Sequence, residues 1–255
     1  MQAATSILSR LRIGLGTLIA IDAEADDGAI AARALEAAFQ AVQRVEHLMH
    51  PTRNGSDIAR LSASPCGLVT VHPWTFEVLE LCVQLNDLSH GVFDPCLPAS
   101  SGSMRDIELL GDGAVVVHAP IQLDLGGVAK GYAVDRAIDA LRAAGCDAGL
   151  VNAGGDLAVY GPRARRIVCR GPDPRPVVEL RDAALATSSV GAASRPPEHR
   201  GHYHGVSGAP ALHGSVSVIA ESAAAADALT KCLFWCDSVG GQELLAHFAA
   251  RRVIA

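Results

Sequence analysis

One stretch constrains this chain more than any other: Leu123-Asp124-Leu125-Gly126-Gly127-Val128-Ala129-Lys130-Gly131-Tyr132-Ala133-Val134-Asp135. Three glycines surround one lysine, with a carboxylate near each end. Residues 119–123 before it read as a short strand entered past Pro120. Val134, Ile138 and Leu141 after it recur at helical spacing up to Gly145, a helix stop. A strand, a glycine turn and a helix start in succession turn unpaired backbone N–H groups outward, where they suit an incoming anion. Lys130 adds a full positive charge. The residues alone allow two readings. One is a phosphate-handling corner, with Asp124 free to hold a sugar, a base or a metal. The other is a tight turn beside a solvated lysine.

The totals narrow what such a corner can serve. A net charge of −6 over 255 residues and an aromatic content of 4% argue against broad nucleic-acid or anionic-membrane binding and against a stacking platform for single strands. Arg163, Arg165, Arg166 and Arg170 read as a solvated strand face or loop. The seven cysteines are scattered without a CxxC. Cys232 and Cys236 share a helix face, but no second pair completes a zinc set, so buried free thiols in a reducing compartment are expected. The first residues lack a basic segment followed by an apolar core, and no apolar run is long enough to span a bilayer. A cytoplasmic protein is the expectation.

Along the chain, residues 11–21 read as one glycine-punctuated strand, and Asp26 or Asp27 caps a helix from Gly28 to about His47. Ser56 or Asp57 starts a short helix, residues 68–71 form a brief strand, and Pro73 opens a helix that Gly91 stops. Residues 108–118 read as a hairpin across Gly111-Asp112-Gly113, and residues 149–161 as strand, glycine turn and strand. Residues 167–169, 177–180, 184–187 and 215–220 are further short strands, and residues 194–208 a surface loop. Ser222 caps a helix through Leu233, and Gly240-Gly241 sets off a last helix ending near Ala250. With no repeat and no long linker, the chain reads as one domain, residues 1–255. Helices and strands follow no regular alternation, which makes it α+β rather than doubly wound.

Asp124-Leu-Gly-Gly-Val-Ala-Lys-Gly-Tyr-Ala-Val-Asp135, followed by Leu150-Val-Asn-Ala-Gly-Gly-Asp156, resembles the ApbE family, the FAD:protein FMN transferases. Ala186-Thr187-Ser188 is similar to that family's ATSG turn. Ser215-Val216-Ser217-Val218, leading to Ala226-Asp227-Ala228-Leu229-Thr230, is similar to its SVTV…ADALAT ending. Gly16-Thr17, Ser56-Asp57-Ile58-Ala59-Arg60-Leu61 and Phe93-Asp94-Pro95 match in the same order. The resemblance implies a single two-lobed α+β domain that binds FAD in a cleft with Mg²⁺ or a similar cation. It also implies the reaction: a threonine or serine hydroxyl of a target flavoprotein attacks the FMN-side phosphorus, and AMP leaves. Such a transfer needs charge neutralisation, aimed donors and a proton acceptor.

Carried over residue by residue, the resemblance implies that Asp124, Gly126, Lys130, Thr187 and Ser188 contact the dinucleotide. It also implies that Gly127, through its carbonyl, and Asp227 ligate the metal. The family's metal-binding threonine lies four residues after its aspartate. Here that position is Lys231 and the threonine is Thr230, one residue earlier. Thr230 still shares the helix face and is the expected third ligand, unless the Lys231 ammonium stands where the metal would and meets the phosphate directly. The family's histidine loop is shortened to His202-Tyr203-His204-Gly205. His204 aligns as the general base, with His202 the alternate. Leu15 stands where the family has methionine, and Thr52 where it has an aromatic residue, which thins the flavin side. Hydrolysis of FAD to FMN and AMP, and FAD binding without catalysis, stay open as alternatives.

Overall fold

The structure, a computed structural model, describes residues 6–64, 66–169, 175–190, 214–236 and 238–254. It opens with β1 (Ser6–Gly14) and β2 (Thr17–Ala25), an antiparallel hairpin in register from Ser6↔Ala25 to Gly14↔Thr17. This corrects the single strand expected over residues 11–21. Leu15 and Gly16 take φ of 52° and 68°, the two left-handed residues that a type I′ turn requires. α1 (Gly28–Met49) follows, with the Asp27 carboxylate accepting the Ala29 N–H at 2.8 Å. Its buried stripe includes Ala31, Leu35, Ala38, Val42 and Val45, the spacing of one helical face.

α2 (Asp57–Ala63) starts at the Ser56 cap and α3 (Pro73–Leu88) starts on its proline, with β3 (Gly67–Thr70) between them. The hairpin of β4 (Ile107–Gly111) and β5 (Ala114–Val117) takes up β3 to make a three-stranded sheet ordered β3-β5-β4. Residues 119–123 do not form the strand expected of them. One bridge pairs Leu123 with Cys96, and the Asp124 N–H donates to the Pro95 carbonyl at 2.9 Å. Pro120 has no N–H to give a ladder, and the segment lies against the loop that follows α3 rather than beside a strand.

α4 (Ala129–Ala143) leads into the hairpin of β6 (Ala148–Ala153) and β7 (Asp156–Tyr160), turned on Gly154 and Gly155. After it come β8 (Arg165–Val168), β9 (Val177–Leu180), β10 (Ala183–Val190), β11 (Gly214–Ala220), α5 (Ala223–Cys232), α6 (Ser238–His247) and β12 (Arg251–Val253). Two corrections fall here. α6 runs through Gly240-Gly241 instead of beginning after them; a Cβ on Gly241 would stand 3.0 Å from Leu233 Cδ2, so a small residue lets the helix pack closely. β12 was not expected, because three residues carry no period.

The main sheet runs β1-β2-β6-β7-β10-β11-β12, every neighbouring pair antiparallel. α1, α4 and α5 cover one face. Ile19, Ile21, Val151, Ala158, Ala186 and Val218 point into that layer. On the other face, the ribbon of β8 and β9 covers Leu157, Val159, Leu185 and Ile219. β7 is thus buried on both sides. A second lobe, made of α2, α3 and the three-stranded sheet, completes the α+β architecture. Among the described residues no two cysteines form a disulfide; Cys82, Cys146, Cys169 and Cys232 are buried and Cys66 is exposed. Among the described residues no helix is long and apolar enough to cross a membrane.

Candidate functional site

The glycine corner is a single 3-10 turn over Leu125–Gly127. Asp124 caps it, its Oδ1 accepting the Gly126 N–H at 2.8 Å. The Val128 N–H donates to the Leu125 carbonyl at 2.9 Å. Two of the N–H groups expected to face outward are therefore turned in on the corner itself. Gly127 lies against the stem of Lys231: a Cβ placed on it would be 3.9 Å from both Cγ and Cε of that lysine and 3.6 Å from the Phe93 ring. The corner and α5 are neighbours at that point.

α4 and α5 cross at Gly131, where a Cβ would overlap the Ala223 carbonyl and stand 2.8 Å from Ala224 N. Only glycine fits there. The close approach lets each helix cap the other. Asp135 of α4 accepts the Ala223 and Ala224 N–H groups at 2.7 and 2.9 Å, which are first-turn donors of α5. Asp227 of α5 accepts the Gly131 N–H of α4 at 3.1 Å through Oδ2. Those N–H groups have no partner within their own helices, and a carboxylate at a helix N-terminus also meets the positive end of its dipole. Burial nevertheless pushes the Asp135 carboxyl up to about 6, outweighing its two backbone donors.

Beside this crossing four charged groups meet. Lys130 pairs with Asp156, at the start of β7, and its Nζ lies 3.5 Å from Asp227 Oδ2. Lys231 Nζ pairs with Asp227 Oδ1 and donates to the backbone carbonyl of Asp227 at 2.9 Å. Asp227 is fully buried, and the side chains of Asp156 and Lys231 are almost so, at 4% and 10% exposure. Burial first, and then the like charge of Asp227, push the Asp156 carboxyl up against the pull of the two lysines. Two ammonium and two carboxylate groups so close, all but Lys130 nearly out of water, hold one another in place.

Of the residues singled out in the sequence, Asp124, Gly126, Gly127, Lys130, Ser188, Asp227 and Thr230 fall in or beside this cluster. Thr230 Oγ1 donates to the Asp227 carbonyl at 2.6 Å and pairs with Ser188 Oγ at 2.7 Å. Its hydroxyl is engaged with backbone and Ser188 rather than ranged beside the Asp227 carboxylate. Thr187 and Ser188, being consecutive on β10, point to opposite faces. Ser188 joins the cluster, whereas Thr187 pairs with Ser217 at 2.9 Å and lines a cavity with Asn152, Arg166 and Leu157 under the β8–β9 ribbon. His204 and His202 lie outside the described residues. Sequence reasoning did not single out Asp156 as a site residue, although it closes the Asn-Ala-Gly-Gly-Asp turn. The signal available was a carboxylate at the mouth of a glycine hairpin.

A glycine turn at a helix start, beside two lysines each paired with a carboxylate, defines a class of charge-lined corners suited to an anionic ligand. Comparison with known proteins narrows the class. The family model described as "ApbE family" matches residues 15–101 and 99–254, and the chain belongs to that family. A Treponema pallidum protein named FAD:protein FMN transferase is 28% identical, over 89% of this chain and 78% of its own length. Among solved structures, the apo form of Pseudomonas stutzeri flavinyl transferase ApbE aligns with a TM-score of 0.82 at 23% identity, covering 98% of this chain and 91% of that one. The flavin transferase ApbE of Vibrio cholerae aligns with a TM-score of 0.82 at 19% identity, covering 98% and 93%. The ApbE protein of Thermotoga maritima gives 0.79 at 24%, covering 96% and 91%. These likenesses fix the α+β fold.

Proposed function

We propose that this protein is an FAD:protein FMN transferase and that its residues 1–255 act as one unit. The observation that carries the reading is the convergence of Lys130, Asp156 and Asp227, from three separate stretches of the sequence, on one charged cluster beside the glycine corner that Asp124 caps. It is supported by membership of the ApbE family and by the name of the Treponema pallidum relative. In the step proposed, a threonine or serine hydroxyl oxygen of a target flavoprotein bonds to the FMN phosphorus of FAD. The bond from that phosphorus to the bridging oxygen breaks, and AMP departs with its electron pair. The hydroxyl proton passes to His204. Asp124, Gly126 and Lys130 border the dinucleotide on the corner side and Ser188 on the sheet side. Thr187 lies on the opposite face of β10, in the cavity under the β8–β9 ribbon, and takes no part in that contact.

The resemblance also implies Mg²⁺ held by Gly127, Asp227 and Thr230. A hard divalent cation asks for several oxygen ligands, carboxylates above all. Here Asp227 Oδ1 is held by Lys231 and Oδ2 accepts the Gly131 N–H. The Thr230 hydroxyl is spent on the Asp227 carbonyl and Ser188. Among the described residues no three carboxylate, histidine or cysteine side chains gather as a metal set. The residues present do not fit a dedicated divalent site.

The test is incubation of the full chain with FAD and an acceptor flavoprotein carrying a threonine flavinylation motif. Intact mass and AMP are followed together. One FMN increment per AMP released is expected. AMP without labelling moves the assignment to FAD hydrolysis, and FAD binding without AMP reduces the protein to a binder.

A further inference from the structure

We infer that Lys231 is a built-in cation: its ammonium holds the place on Asp227 that a divalent metal would take, and the chain works on its substrate without a metal of its own. The inference rests on the flavin-transfer reading for what is bound, but not for what holds the carboxylate.

Three observations carry it. Lys231 follows Asp227 by four residues on α5, one turn along the same face, and its Nζ is tied to Asp227 twice, through Oδ1 and through the backbone carbonyl. A carboxylate and a carbonyl oxygen of one residue, converging on one point, are the donor pair a hard cation would use. The second observation is burial. The lysine side chain is 10% exposed and Asp227 not exposed at all, so this is no loose surface pair that solvent would open. The third is position. The aliphatic stem of Lys231 runs past Gly127, which brings the ammonium to the corner where a pyrophosphate is expected. An ammonium carries three donors. Two are spent on Asp227, and the third is the one offered to a phosphate oxygen.

The charge balance agrees. Two lysines face two carboxylates, Lys130 with Asp156 and Lys231 with Asp227, so the cluster is neutral before substrate arrives. A divalent ion added at Asp227 would sit against two ammonium groups, Lys130 at 3.5 Å from Oδ2 and Lys231 on Oδ1. Like charges at such distances repel strongly where water is excluded. The ammonium must leave before a metal can enter.

The test compares the full-length protein with Lys231→Thr and Lys231→Arg. Manganese binding is titrated by electron paramagnetic resonance without nucleotide, and AMP production from FAD with the acceptor flavoprotein present is assayed in EDTA and in Mg²⁺. The unaltered protein is expected to show no saturable Mn²⁺ binding and to keep its AMP production in EDTA within about twofold of that in Mg²⁺. Lys231→Thr, which restores a hydroxyl one turn after Asp227, is expected to gain a saturable Mn²⁺ site. Its activity in EDTA should fall by roughly 10²-fold, the scale of losing one charged transition-state donor, and Mg²⁺ should restore it. Lys231→Arg should stay blind to Mn²⁺. Saturable Mn²⁺ binding by the unaltered protein overturns the inference, as does a Lys231→Thr variant that folds and still binds none. If no form makes AMP from FAD under either condition, the flavin-transfer reading fails while the Mn²⁺ titration still decides the role of Lys231.

Discussion

Asp227 receives four donors or charges at once: the Gly131 N–H, Lys130, and Lys231 on its carboxylate, with Thr230 and Lys231 also on its backbone carbonyl. Asp227→Asn keeps the shape and removes the charge. AMP production is expected to fall at least about 10²-fold. Urea unfolding should show a loss of about 3 to 5 kcal/mol, because two ammonium groups then share one carboxylate. Unchanged turnover would remove Asp227 from the site. Asp135 makes a pH prediction. Its carboxyl, near 3.8 in an unfolded chain, is held near 6 by burial. Between those values the folded chain keeps a proton that the unfolded chain has lost, so stability falls as pH rises through that window, by up to about 3 kcal/mol, and is level above it. Asp135→Asn lacks this titration. The stability of the native protein relative to that variant, from urea curves at pH 4 and pH 7, should drop across the interval; a constant difference contradicts the assignment. At this scale the sequence singled out Asp124, Lys130 and Asp227 because each sits in a long motif, and Ser188 from a short one; the structure brings Lys130 to Asp227 and Ser188 to Thr230 beside it. The sequence left the partner of Lys130 unread, since Asp156 reaches it only once β7 is folded beside α4. Lys231 could be seen as a departure from the family pattern, but its two contacts to Asp227 are visible only in three dimensions.

At the scale of elements, the crossing of α4 over α5 decides the geometry. Gly131→Ala would drive a methyl group into the Ala223 carbonyl, and the helices would have to part. A loss of about 3 kcal/mol in urea unfolding is expected, at the upper end of overpacking costs, together with weaker FAD binding, because the separation displaces Asp227. An Ala variant as stable as the native chain would show that the helices give way freely. The helices themselves were legible to within a few residues, because caps and apolar stripes are local signals: Asp27 and Ser222 cap where expected. The failures were also local in cause. Leu15 at positive φ conceals a turn behind a residue that rarely makes one, and Pro120 spoils a strand that its neighbours suggest.

For the whole molecule, the α+β class could be read from irregular alternation, but the sheet order could not. β2 pairs with β6, and β11 with β12 across α5 and α6. Such pairings are fixed by which faces must be buried together and not by any spacing within a strand. The matched family and structures span both lobes, and the ligand is expected to stabilise them as one. FAD at about a hundredfold excess over its Kd should add about 2.7 kcal/mol to unfolding and raise the Tm by several degrees, to the same extent in EDTA as in Mg²⁺. A shift that requires Mg²⁺ would point to a metal-bound nucleotide as the true ligand. Finally, the exchanged carboxylates of Asp135 and Asp227 give the helix pair a dynamic signature. Neither N-terminus can fray alone, since each is closed by a side chain rooted in the other helix. The amides of Gly131, Ala223 and Ala224 should therefore trade their hydrogens for deuterium at one shared, slow rate, and the two helix starts move as a single body or not at all.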